Sequence, residues 1–97
     1  MFPKRLSILG REYRIIREKS GHLGADVVGR VKVELQKIWI DRRSHKQRQK
    51  AVLLHEIIHV LDFHHGVDLD EKQTEALACG LYEFARRNRH VWCKFSR

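Results

Sequence analysis

Two cysteines in 97 residues, Cys79 and Cys93, are too few for a disulfide framework, which makes a reducing cytosol the default setting. No apolar run approaches the roughly 18 residues needed to cross a bilayer, so no membrane partner is expected. The opening "MFPKRLSILGREYR" is basic but has no sustained apolar stretch, which argues against a secretion signal. Internal repeats, low-complexity tracts and linkers are missing too, so the chain reads as a single domain over 1–97. Acidic residues are scarce: 12 Asp and Glu stand against 20 Lys and Arg, a formal net charge of +8. Arg86, Arg87, Arg89, Lys94 and Arg97 crowd the end, with Trp92 and Phe95 between them. A basic tail over about 89–97 can grip the phosphates of a nucleic acid. The plainer reading is a solvated helix end whose cations suit its dipole.

With 42% hydrophobic and 33% charged residues the chain is globular rather than disordered. Its core is necessarily modest, so a bound metal would add useful stability. "LSIL" and "EYRII" read as short strands around a "GR" turn, and "EKSGHLGAD" as a loop. In "VVGRVKVELQKIWID", Val31, Val33 and Leu35 alternate in one phase and Ile38 and Ile40 in the other, which a turn or bulge near Gln36 and Lys37 reconciles. Ser44 and Gln47 resemble a capping box, and Gly66 suits a helix end, predicting a helix from about His45 to His65. Asp70 with Gln73 opens a second helix reaching about Asn88, with Leu77, Leu81, Phe84 and Ala85 as its apolar stripe. Only "GVDLD" joins the two helices, so they fold back as neighbours. The expected fold is α+β: a small, mostly antiparallel sheet of three or four strands packed on two helices.

The chemistry is concentrated in "AVLLHEIIHVLDF". At 100° per residue its apolar side chains cover most of the helix circumference, while His55, Glu56, His59 and Asp62 share a sector about 120° wide. An ionised carboxylate in such surroundings costs several kcal/mol, at ~2 or more, unless compensated, and a cation compensates it. His55 and His59, one turn apart, project their rings together, and neutral imidazole nitrogens are good Zn²⁺ ligands. Glu56 lies about 100° round the helix, placed to act as general base on a water. This H-E-x-x-H spacing is the metalloprotease signature. With seven His and seven Glu, such a match arises by chance in roughly one chain in thirty, before its apolar context is considered.

A catalytic zinc needs a third protein ligand. Glu75, 16 residues after His59 and off the apolar stripe, is the first candidate, with Glu71, His64 and His65 as rivals. Tyr82, two turns after Glu75, is a candidate donor to a developing oxyanion, as are His90, His64 and His65.

The order of strand hairpin, "IWID", capped helix with "LLHEIIHVLD", short turn and "DEKQTEALACGLYEF" resembles the gluzincin metallopeptidases, in particular the minigluzincins akin to ImmA/IrrE-like proteins. The resemblance covers about Leu9 to Asn88. It implies a zinc-dependent endopeptidase acting on a protein or peptide substrate, with His55, His59 and Glu75 as ligands and Glu56 as general base. It departs at Cys79, where better-known members carry an Asp that orients a zinc-binding His. Either Asp62 or a backbone carbonyl then takes that role or the site binds metal more weakly, and the plainer reading of Asp62 is a helix-end carboxylate or ion-pair member. Small members of the group can be proenzymes, which leaves room for a latent form with Cys93 capping the zinc, although a free tail thiol is the plainer expectation. A nucleic-acid-associated module and a catalytically idle zinc module are the competing readings.

Overall fold

The computed structural model describes residues 2–19 and 28–95. Four strands, β1 (Arg5–Ile8), β2 (Arg11–Glu18), β3 (Gly29–Lys32) and β4 (Lys37–Asp41), are followed by helices α1 (Lys46–His65), α2 (Glu71–Arg87) and α3 (Arg89–Phe95). The sheet order is β1-β2-β4-β3. The α+β class is as expected, but the sheet is mixed: β1·β2 and β3·β4 are antiparallel and the central β2·β4 pair is parallel. Alternation marks a strand's two faces and says nothing about its direction, so the parallel pair was not legible in the pattern. The predicted loop "EKSGHLGAD" falls largely on 20–27, outside the described residues.

The β1–β2 turn is Leu9–Gly10 rather than Gly10–Arg11, with φ of 52° and 78°. A two-residue hairpin loop that follows the strand twist needs positive φ at both positions, and only Gly10 adopts it freely. The phase change expected near Gln36 is a single 3₁₀ turn over Val33–Leu35 closed by Gln36 in the left-handed region. It turns β3 back onto β4.

One face of the sheet is apolar. Tyr13, Ile15, Ile38 and Ile40 are buried there with Leu53 and Val60 of α1. The sequence before α1 is fastened by Gln49, whose Nε2 donates to Arg42 O at 3.1 Å and Ser44 O at 2.7 Å. The cap of α1 is His45, whose Nδ1 accepts from Gln47 N at 3.3 Å, not the Ser44 box. At the other end the Gly66 N–H closes on Asp62 O as predicted. In α2 the Asp70–Gln73 capping box is present in full.

The apolar stripe of α2 is not its buried face. Leu77, Leu81 and Phe84 are 45%, 39% and 43% exposed, and the residues packed away are Thr74 and Ala78. Small side chains let two helix backbones approach closely, so they take the contact with α1 and leave the bulkier stripe on the shoulder. The expected basic tail is itself largely helical, as α3. No helix among the described residues is long and apolar enough to cross a membrane.

Leu9 is 51% exposed and held at positive φ, so its side chain contributes little packing to offset the backbone strain. Leu9→Asn, which tolerates this conformation, is expected to stabilise the fold by about 0.5–1 kcal/mol, read as a higher midpoint in urea unfolding.

Candidate metal centre

The helical spacing of α1 brings the His55 and His59 Nε2 atoms to 3.1 Å, with the rings edge to face. The turn after α1 is short and tied down: both Asp62 carboxylate oxygens accept from Leu69 N at 3.2 Å. Asp70 then starts α2, so that Glu71 stands at its first position beside the imidazoles. Glu71 Oε2 lies 3.3 Å from His55 Nε2 and its Oε1 3.0 Å from His59 Nε2. These three residues form a group able to hold a metal ion.

The donor set fits a cation. Two neutral imidazole nitrogens at this distance share at most one proton, and a carboxylate brings only further lone pairs. Tetrahedral ligands about 2.0–2.1 Å from zinc stand about 3.3 Å from one another, close to the spacings among these atoms.

Glu75, the expected third ligand, takes a different place. Its Oε2 is 2.8 Å from His55 Nδ1, the ring nitrogen on the far side from the Nε2 cluster. This short approach lies off the direction of a ring hydrogen bond, and the buried Nδ1 has no such partner. The other Glu75 oxygen accepts from the Cys79 thiol at 3.3 Å. That bond is the main reason the thiol pKa is raised. Asp62, one candidate for orienting a ligand ring, serves the inter-helix turn, and Glu75 is the carboxylate nearest His55 Nδ1. Glu71, one of the rivals to Glu75 in the sequence, is the α2 carboxylate that the structure groups with both His Nε2 atoms.

Glu56 is 6% exposed and shares the cleft with the cluster. Burial raises its pKa from 4.5 to about 7, opposed by the charge of His55 and aided by that of Glu71. The cleft has a volume of about 700 Å³, with β3 on one side and α1 and α2 on the others. Gly29 of β3 crosses α1 so closely that a Cβ there would collide with Val52 Cγ1 and sit 3.3 Å from Glu56 Oε2.

Tyr82, His64, His65, His90 and Cys93 do not line this cleft. His64 instead meets the Tyr13 hydroxyl at 3.4 Å through Nε2. The fold and the cluster together define an α+β protein with a two-histidine, one-glutamate candidate metal site. Family models, curated proteins and solved structures contain no match to this chain.

Two outcomes follow from this geometry. Because the folded pKa of Glu56 exceeds its unfolded value, the metal-free protein loses stability as pH rises from 4.5 through 7, by up to roughly 3 kcal/mol. Chelated Glu56→Gln should therefore melt above the parent at pH 8, with the gap closing by pH 4. Val52 is β-branched and stiff in a helix, so Gly29→Ala is expected to destabilise by about 1–3 kcal/mol. Adding Val52→Ala should recover most of that loss in the same denaturation assay.

Proposed function

We propose that the protein is a zinc-dependent metallopeptidase that hydrolyses a protein or peptide substrate, working in a reducing cytosol. The observation that carries this reading is the convergence of His55, His59 and Glu71 beside a buried Glu56 in one open cleft. His55, His59 and Glu71 would hold the ion, with the Glu75 carboxylate against the Nδ1 side of the His55 ring, where a small rotation would let it accept the ring N–H. Zinc bound there supplies electrophilic activation of a carbonyl and of a water. Glu56, buried beside the cluster, is placed to accept the proton of the attacking water and to return it to the leaving amine.

Substrate alignment falls to β3. It is an edge strand that pairs with β4 on one side and borders the cleft, so its other edge can add a peptide strand through backbone hydrogen bonds. Val28–Val31 line the cleft along that edge.

The test combines metal analysis with peptide cleavage. Glu56→Gln is expected to keep its zinc and lose about 10²–10⁴-fold in turnover, the usual worth of a general base. Glu71→Gln should lose the metal, and Glu75→Gln should weaken its binding by about 10–100-fold, as outer partners do. Cleavage that survives chelation or the loss of Glu56 would refute the peptidase reading. If Glu75→Gln strips the metal and Glu71→Gln does not, the ligand on α2 is Glu75.

A further inference from the structure

The sheet face turned away from α1 carries a charge pattern that the cleft does not use. Register sets Arg5 opposite Arg14, Arg14 beside Lys37, and Lys37 opposite Lys32. Residues paired in this way point to the same face. Their neighbours one position along, Ile15 and Ile38, are buried in the core, so the four cations point outward. They form a row across all four strands, about 14 Å long at roughly 4.8 Å per strand.

Arg5 reaches Glu12 at 3.8 Å between exposed groups, while Arg14, Lys32 and Lys37 make no ion pair among the described residues. Like charges directly opposite each other destabilise a sheet, so folding gives no reason for the row. The carboxylates of this face stand at its margins, Glu12 at one end and Glu18 and Asp41 at the other. Asp41 is already engaged by the Arg43 side chain.

Two residues along, Ile16, Trp39 and Arg30 are in register with one another. Trp39 is half-buried, and among the described residues no cation stacks on its ring. Beside β1 and β2 a cavity of about 580 Å³ has Lys4, Arg5, Arg14 and Arg17 as its charged lining, with no acid; Arg5 and Arg14 belong to the row, while Arg17, paired with Ile40, comes from the other face. Phosphate-sized anions and a flat aromatic partner are the chemistry this face accommodates.

We propose that the outer sheet face binds single-stranded nucleic acid, with backbone phosphates along Arg5, Arg14, Lys37 and Lys32 and a base stacked on Trp39. A single strand offers both groups at once, alternating along its length. A duplex keeps its bases stacked on one another, away from such a ring. An anionic lipid surface calls for apolar side chains that reach past the charges, and Ile16 and Trp39 are half-buried.

Trp39 and Trp92 are the two tryptophans, so Trp92→Phe leaves Trp39 as the sole reporter. Adding oligothymidine to that protein should quench its fluorescence. Four phosphate contacts predict a slope of log affinity against log salt of about −2.8. Arg14→Gln with Lys37→Gln should reduce it to about −1.4, whereas the charge-matched Arg89→Gln with Lys94→Gln leaves it unchanged. Trp39→Leu is expected to weaken binding roughly 5- to 100-fold, and Trp39→Phe to keep most of the affinity. Chelation should change none of these values, which separates this site from the cleft. Absence of binding at low salt overturns the proposal, as does an unquenched Trp39. So does a slope that follows the Arg89 and Lys94 pair, or tighter binding to a duplex or to phosphatidylglycerol vesicles.

Discussion

The imidazoles of His55 and His59 and the carboxylate of Glu71 present lone pairs to one another across 3.0–3.3 Å at the seam of two helices. Lone pairs at that range repel unless positive charge lies among them, as shared protons or as a metal ion. Much of the surrounding structure serves to hold them there. Leu53 and Val60 bury α1 against the sheet, fixing its rotation about its axis. Asp62 grips the turn, Asp70 sets the first residue of α2, and Thr74 and Ala78 let the second helix come close. Each of these is an ordinary folding contact, and together they bring the His55, His59 and Glu71 donor atoms to one place.

The same packing accounts for Glu56. The Glu56 side chain lies against Gly29 of β3 and is largely withdrawn from solvent at the wall of the cleft. The desolvation that makes its charge costly is also what brings its pKa near neutrality. Burial of Glu56 thus costs stability at neutral pH, and perturbed carboxylates of this kind are common at functional sites.

The sheet has helices on one side only. Its inner face is spent on the core through Tyr13, Ile15, Ile38 and Ile40, while the outer face carries Arg5, Arg14, Lys37, Lys32 and Trp39. On β1, β2 and β4 strand alternation separates these sets, whereas Arg30 of β3, in register with Trp39, also lines the cleft. β3 is the exception: its Gly29 abuts α1 at the cleft, and its Lys32 ends the cation row.

How much of this was legible in the residues follows from what each signal measures. The H-E-x-x-H spacing, the Asp70–Gln73 box and the Gly66 stop are local, governed by helical geometry within a few residues, and all appear where the sequence puts them. The same holds for the α+β class and for the approximate strands. Local pattern misread the α2 stripe, because Leu77, Leu81 and Phe84 look like a core face until Thr74 and Ala78 are seen to make the closer contact. It put Glu75 ahead of Glu71, one turn away on the same helix, whereas the structure groups Glu71 with the two imidazoles. The cation row required the pairing of four strands, one of them parallel to its neighbour. Helix periodicity is written along the chain; which turn meets another helix, and which charges line up across strands, depends on packing between distant segments, and only the tertiary structure decided that.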